Sequence, residues 1–579
     1  MSTDHTAWTT SACPHTTGGR PTIDATRALG DIVRAIGGAG PRTVRTPIDG
    51  AARPAAASAP RHRDQRHDRD EGQGPEPGER EREGHDEVSS HTRAKFNILL
   101  PFAAAGFPEK STLGFGRRGY IIPDVDALIY ARAQMGLSLA FHIVFAAVGI
   151  ALPLLMVVAD VLWLRTRDPE YLELTRALAK GTSILFAVGA VSGTVLSFEL
   201  GLLWPGFMGT FGAVVGLPFA LEGFAFFTEA IFLGIYLYGR GKVSERVHLF
   251  AGIVVAVSGA ASAFFVTLVN AFMNLPAGLR LDGAGRLVSF DARAAMWSRP
   301  WAHQVVHVLL SSYEATAFAM VGVHAFFLLG RGHRALRRSF HAKALGIALV
   351  VAVVTALAQP LSGDRSAKSL AVDQPLKLAA AEAHFHTSTH APLEVGGLAD
   401  PDAARVVGAI ELPGILSFMA FGDTGARVVG LLDFPRDEWP PVRPLHLAFD
   451  VMVGAGSALA GVALLAVVLA LRRRGLPEAR WFLWLLVAAG PLGVLALEAG
   501  WLVTEWGRQP WVVRGVMRTA EAVTTFPYKA APFWIFTLTY LFLAITVVYL
   551  LWRQIVVTAQ PRLRDEGALG GARAPGAAH

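Results

Sequence analysis

Residues 497–511 read LEAGWLVTEWGRQPW, an apolar helix that runs out into a polar turn. Glu498 and Glu505 are seven apart, so they share one helical face with Trp501 between them. Both lie inside or at the end of a segment apolar enough to cross a bilayer, where an acidic residue costs roughly 2.5 to 3.5 kcal/mol at mid-helix. Two such residues need a partner: a metal centre, a cation or a proton path. A carboxylate at the water interface is the other reading of Glu505. Gly507 frees the backbone to turn, and Pro510 stops the helix.

The composition identifies the solvent. Of 579 residues, 52% are hydrophobic and 17% charged, which places the chain among polytopic membrane proteins. The single cysteine, Cys13, excludes internal disulfides and thiolate clusters, leaving His, Met and carboxylates as metal ligands. The net charge of +7 does not point to nucleic acid, because the relevant Lys and Arg flank apolar segments. Residues 1–124, with a charged run from Arg61 to Asp86, lack sustained apolar periodicity and read as a disordered extension or an upstream artefact.

From Ala127 onward the expectation is an all-α bundle of nine spans, near 128–164, 181–204, 216–239, 247–273, 304–330, 341–361, 445–471, 481–505 and 530–553. Residues 125–361 thus hold spans one to six, 362–444 a long loop, 445–554 spans seven to nine, and 555–579 a tail. Basic clusters fall in alternate connectors: Arg165, Arg167, Arg176 and Lys180; Arg240, Lys242 and Arg246; Arg331, Arg334, Arg337, Arg338 and Lys343; Arg472, Arg473, Arg474 and Arg480. By the positive-inside rule these connectors and the tail are cytoplasmic, and the long loop and the 507–511 turn face outward. His142, His307, Met452 and Glu505 then share one depth in the outer half. A lone His or Met of this kind is more often a packed core side chain than a ligand, but a haem plane takes ligands from different helices at one level.

The run GRQPW, with a Glu two residues before its Gly, resembles the signature of subunit I of the cytochrome bd-type quinol oxidases. The resemblance covers nearly all of residues 126–554, and in its loop the chain is similar to the short-loop, often cyanide-insensitive branch. It implies that His142, in LSLAFHIVF, ligates haem d. It further implies that His307, in HQVVHVLLSSY, and Met452, in HLAFDVMVG, ligate the low-spin haem b, and that Glu505 ligates the high-spin haem b. Lys377 and Glu382, in KLAAAE, are implied as the quinol-binding pair, on an outward loop away from any ligand-bearing helix. Without the resemblance, they read equally as a solvated ion pair on an exposed helix.

Arg508 belongs to the signature and joins the catalytic set. Glu222 and Glu229, seven apart in FALEGFAFFTEAIF, are implied as proton carriers toward oxygen. His303 and His446 compete with His307 and Met452 as ligands. His324 reads as a packed side chain, and Glu199 and Glu314 are further intramembrane acids. Asp450 stands where better-known long-loop members carry Arg, which inverts the local charge beside Met452.

The resemblance implies a multi-pass protein of the bacterial cytoplasmic membrane that oxidises quinol at the outer face and reduces dioxygen to water. It carries two haem b and one haem d, or a third haem b, and works with a second membrane subunit. Proton motive force arises by charge separation. A haem b electron carrier without oxygen chemistry and an ion-coupled transporter are the alternatives. Because the composition of residues 1–124 cannot bury a core, a chain starting at Val125 is expected to reach the membrane with full haem content, measured by absorbance of the membrane fraction. Loss of haem or of insertion refutes the extension reading.

Overall fold

The computed structural model describes residues 125–283, 286–330, 337–524 and 530–559; the expectations for 1–124 and for 560–579 lie outside these. The helices are α1 (Val125–Thr166), α2 (Pro169–Leu203), α3 (Pro205–Gly239), α4 (Glu245–Asn274), the short α5 (Ala292–Met296), α6 (Trp301–Leu329) and α7 (Arg338–Asp373). They continue with α8 (Pro375–Ala381), α9 (Ile415–Phe421), α10 (Val442–Arg473), α11 (Arg480–Ala489), α12 (Leu492–Trp506), the one-turn α13 (Thr519–Ala522) and α14 (Ala530–Ala559). Among the described residues nine stretches are long and apolar enough to cross a membrane, α5 with α6 and α11 with α12 each forming one. The expected all-α membrane bundle is what the chain forms.

Capping and proline placement start the helices where the chain re-enters the bundle. Asp168 accepts from the Glu170 amide at 2.9 Å, and Pro169 and Pro205 occupy first-turn positions where no amide is needed. Four boundaries differ from expectation, among them the start of α3 at Pro205 rather than 216. α2 begins at Pro169 rather than 181, because PEYLELTRALAK is a good helix former although its charges keep it out of lipid. α7 passes Pro360 and runs to Asp373 rather than ending at 361, its polar turns supported by Lys368 on Asp364 at 2.7 Å and Ser369 on Asp373 at 2.9 Å. The eighth span is broken between Ala489 and Leu492, at Gly490 and Pro491.

That break lets two backbones meet. A Cβ on Gly493 would lie 2.6 Å from the Ala315 Cα, and one on Gly322 would lie 3.0 Å from the Gly490 Cα, so α6 and α12 approach closer than side chains permit. A large core of Leu155, Met156, Leu174, Phe318, Leu345, Leu459 and Phe482 fills the half of the bundle nearer the basic connectors. Trp204, Phe207, Phe211, Phe272 and Val513 fill a second core near the other end.

Ion pairs tie the basic connectors together. Arg167 meets Glu245 at 2.6 Å, Lys343 meets Glu170 at 2.5 Å and Asp168, Arg337 meets Glu173, and Arg338 meets Glu478. The opposite end carries the long loop. It folds as α8, then antiparallel ladders pairing 388–389 with 427–428, 393–395 with 410–412 and 398–400 with 405–407. Clustered Arg and Lys at one end predict that this end stays cytoplasmic. In intact cells an impermeant thiol reagent is expected to label Asp402→Cys in the loop and to reach Arg473→Cys only after permeabilisation; labelling of both from outside refutes the arrangement.

Candidate functional site

The sequence-nominated residues fall into three groups. At the loop-bearing end Lys377 is 6% exposed, its ammonium donating to Asn274 Oδ1 at 3.0 Å and to the Thr504 carbonyl at 3.2 Å. Its methylenes lie across Gly507, where a Cβ would come within 2.5 Å of the Lys377 Cε. Only glycine admits this contact. Next to it Arg508 is buried, ion-paired with Glu505 and 3.4 Å from Asn270 Oδ1. Burial pulls the Lys377 ammonium down to about 7, and the Arg508 and Arg514 charges add to the effect.

Glu382 caps the other end of α8 and is 3% exposed. Burial raises its carboxyl to about 8, and the Asp450 and Glu394 carboxylates push the same way. His446 donates from Nδ1 to the Ala381 carbonyl at 2.8 Å, while its Nε2 is 3.6 Å from Asp450, so this histidine pins α8 to α10. Lys377 and Glu382 are therefore not an exposed ion pair. Nor are they remote from the helices that carry the expected ligands: Lys377 packs on the end of α12, next to Glu505, and Glu382 packs against α10, which carries Met452. The loop sequence could not show this, because the contact requires the 497–511 turn to fold back over α8.

The second group is the set of side chains that the sequence nominates as single ligands. His142 Nδ1 is 2.9 Å from Ser192 Oγ, and that hydroxyl donates to the Val188 carbonyl at 3.0 Å. With that hydroxyl donating to Val188, its oxygen accepts from Nδ1–H, the tautomer in which Nε2 keeps its lone pair. His307 Nδ1 is 3.3 Å from Ser362 Oγ, and His303 Nδ1 is 3.1 Å from Ser366 Oγ, so both histidines of α6 hold the same relation to α7. Met452 faces Gly500, where a Cβ would stand 3.2 Å from its sulfur, and a Cβ on Gly193 would stand 3.1 Å from His142 Cε1. Bare backbone at Gly500 and Gly193 lets the Met452 sulfur and the His142 ring lie close against the neighbouring helix.

Among the described residues no three His, Cys, Asp or Glu side chains converge as a metal-ion site. Iron held by these dispersed imidazole, thioether and carboxylate groups has to bring its own equatorial donors, as a porphyrin does, and take axial ligands one at a time from the chain. The residues fit a haem on that ground. They also leave Glu314 Oε1, Glu498 Oε1, Gln359 Oε1 and His303 Nε2 buried without a protein partner.

The third group is acidic. Glu222 accepts from Ser262 Oγ at 2.8 Å, and Glu229, 5% exposed, lies against Gly259. Glu199 accepts from Gln134 at 2.7 Å and Ser138 at 2.8 Å. His324 faces His341, Nδ1 to Nδ1 at 3.0 Å, and serves as a packed partner between α6 and α7. The sequence reading missed Asn270 and Asn274, although two asparagines four apart at the end of an apolar helix were a visible signal. It also missed Ser192, Ser362 and Ser366, which look like ordinary small residues of membrane helices.

Residues 130–558 match the family model for cytochrome bd terminal oxidase subunit I. A putative cytochrome bd menaquinol oxidase subunit I of Bacillus subtilis is 38% identical over 74% of this chain and 96% of its own length. A cytochrome bd ubiquinol oxidase subunit 1 of the same organism is 30% identical over 74% and 94%. Among solved structures, the bd oxidase from Geobacillus thermodenitrificans aligns with a TM-score of 0.69 at 41% identity, over 74% of this chain and 98% of that one. Matched ends, matched helices and the 497–511 signature lead to one assignment: the chain belongs to the cytochrome bd terminal oxidase subunit I family, whose members are haem-containing membrane proteins.

Proposed function

We propose that this subunit of a terminal quinol oxidase oxidises quinol at the loop-bearing end, on the outer face of the bacterial cytoplasmic membrane, and passes the electrons to dioxygen, which is reduced to water. The observation that carries the reading is the burial of Lys377 and Glu382 against the helices that bear Glu505 and Met452. His142 is assigned to haem d, His307 and Met452 to the low-spin haem b, and Glu505 to the high-spin haem b, with a third haem b in place of haem d as the alternative content. When bound, the haems accept single electrons and supply the oxygen-binding iron. A second membrane subunit completes the enzyme.

The chain's own residues place the substrate and its protons. Lys377, its nitrogen held in place by Asn274 and Thr504, is the group that hydrogen-bonds a quinol oxygen. Glu382 is the base: a carboxyl near 8 sits close to the working pH, where a proton acceptor is most effective. Arg508 holds the Glu505 carboxylate through their ion pair and rests on Asn270. Protons released from quinol leave outside. Those consumed at oxygen enter from the basic end through Glu229 and Glu222, so charge separates across the membrane without a pumping helix.

Haem assignments are tested by reduced-minus-oxidised spectra of the purified oxidase. Met452→Leu is expected to perturb the low-spin haem b alone, Glu505→Ala the high-spin haem b and with it haem d, and His142→Ala to remove haem d and oxygen uptake. An unchanged spectrum in Met452→Leu refutes that ligand, and haem b bands without oxygen uptake in the parent enzyme return the chain to the electron-carrier reading.

The substrate site has its own signature in pH. Glu382 accepts a proton only when ionised, so quinol turnover is expected to rise with pH toward about 8 and level off above it. In Glu382→Gln the rise flattens and turnover drops roughly 100-fold. Lys377→Leu chiefly raises KM for quinol. Because both residues pack on ligand-bearing helices, haem content is measured alongside; normal quinol kinetics in both variants move the search away from α8.

A further inference from the structure

At the basic end, outside every group described above, Asp160 of α1 is 1% exposed. Three side chains converge on its carboxylate. Tyr236 donates to Oδ2 at 3.0 Å, Arg240 donates to Oδ1 at 2.8 Å, and His248 Nδ1 stands 3.2 Å from Oδ2. The other imidazole nitrogen, Nε2, is 2.9 Å from the backbone carbonyl of Tyr236, which can only accept. Nε2 therefore carries a hydrogen in every state. In the loaded site an ionised Asp160 requires a hydrogen on Nδ1 too, and the ring is an imidazolium; in the empty site the ring is neutral and the ionised carboxylate keeps its hydrogen bonds from Tyr236 and Arg240. Against a protonated Asp160, Nδ1 is the acceptor and the ring is neutral. One proton thus occupies either of two atoms 3.2 Å apart, with both hydrogen bonds kept.

This pair lies in line with the acids of α3. Tyr236 follows Glu229 by seven residues, and Glu229 follows Glu222 by seven, a single row along one helical face. α4 is cut to fit the row. A Cβ on Gly252 would lie 2.7 Å from the Tyr236 ring, one on Gly259 would lie 3.5 Å from Glu229 Oε2, and Ser262 donates to Glu222 at 2.8 Å. α1 closes the same seam, since the Gly259 position is 3.4 Å from the Ile150 Cα, and Asp160 lies ten residues further toward the basic end. The rise from Tyr236 to Glu229 is about 10 Å, a gap that a chain of two or three waters has to bridge for a proton to cross it.

The charged rim is close. Arg240 stacks 4.9 Å over the Trp163 ring, and the exposed Arg167 and Glu245 pair at 2.6 Å stands beside it. Arg240 keeps the pair near neutrality when Asp160 is ionised, and Glu245 offsets the extra positive charge of the loaded state.

We propose that Asp160 and His248 form the proton-loading site of this subunit, taking a proton from water on the basic side and delivering it along the α3 and α4 seam to Glu229 and then Glu222. The inference rests on the reading of Glu222 and Glu229 as the proton supply for oxygen reduction. A purely structural clamp of α1, α3 and α4 is the competing account, and it predicts a loss of assembly instead of a loss of rate.

The test uses the whole oxidase in proteoliposomes, with oxygen uptake expressed per haem. Asp160→Asn is expected to keep the haem spectrum and the rate of haem reduction by quinol, yet to slow oxygen uptake about 100-fold and to change its dependence on the pH of the basic side. An artificial electron donor does not restore the rate, because the defect lies on the oxygen side, and Asp160→Glu restores part of it. Glu229→Gln is measured in parallel. If Glu229→Gln is slow while Asp160→Asn keeps the parent rate per haem and the parent pH profile, the loading site is refuted and the path stands. If Glu229→Gln also keeps the parent rate, the path itself falls, and the loading site with it. Should Asp160→Asn fail to assemble, His248→Gln leaves the Asp160 and Arg240 pair intact and carries the same expectations; its parent-like rate and pH profile overturn the proposal.

Discussion

Lys377 lies flat across Gly507, and its ammonium reaches the carbonyl of Thr504 and the side chain of Asn274. This one contact fastens the long loop, the end of α12 and the end of α4 to each other. It requires a residue with no side chain at 507, a long aliphatic stem at 377 and a backbone turn directly after Glu505. A lysine so enclosed loses much of its hydration, and burial beside Arg508 and Arg514 brings it down to about 7. The cost is offset in part by the hydrogen bonds to Asn274 and Thr504 that the same enclosure provides.

Close backbone approach recurs wherever the bundle places chemistry. Gly493 against Ala315 and Gly322 against Gly490 bring α6 and α12 together, which sets Glu498 and Trp501 facing the interior. Gly500 and Gly193 leave bare backbone beside Met452 and His142. Gly252 and Gly259 let Tyr236 and Glu229 sink into the α3 and α4 seam. In lipid the apolar effect does not drive helices together, so small residues that permit dense packing and hydrogen bonding do this work. The positions where polar groups gather follow from where those residues stand.

The two ends differ in how they hold charge. At the basic end Arg and Lys of separate connectors are matched by Asp and Glu in exposed or half-buried pairs, which fix orientation more than they add stability. At the loop end exposed pairs such as Arg436 with Asp402 are joined by a buried set: Arg508 with the half-buried Glu505, Lys377 with neutral partners, and Glu382 among other carboxylates. Buried charge of this kind is expensive and concentrates where a proton or an electron changes place.

The sequence by itself determined the fold class, the number of spans, the basic end and the family, because apolar length, charge placement and the GRQPW signature are local properties that tertiary packing does not alter. It also nominated His142, His307, Met452 and Glu505 as the imidazole, thioether and carboxylate candidates for haem ligation. Span ends were less legible: α7 continues through Pro360 to Asp373, since hydropathy reports where lipid stops and helix propensity reports where a helix stops. Only the tertiary structure decided the setting of Lys377 and Glu382, which the linear order puts in a loop and the fold buries against α12 and α10. It alone revealed the serine partners of His142, His303 and His307, and the meeting of Asp160, Tyr236, Arg240 and His248, drawn from three helices up to 88 residues apart in the chain. A hydrogen bond needs atoms within about 3 Å, and no periodicity in a sequence specifies which helices will stand side by side.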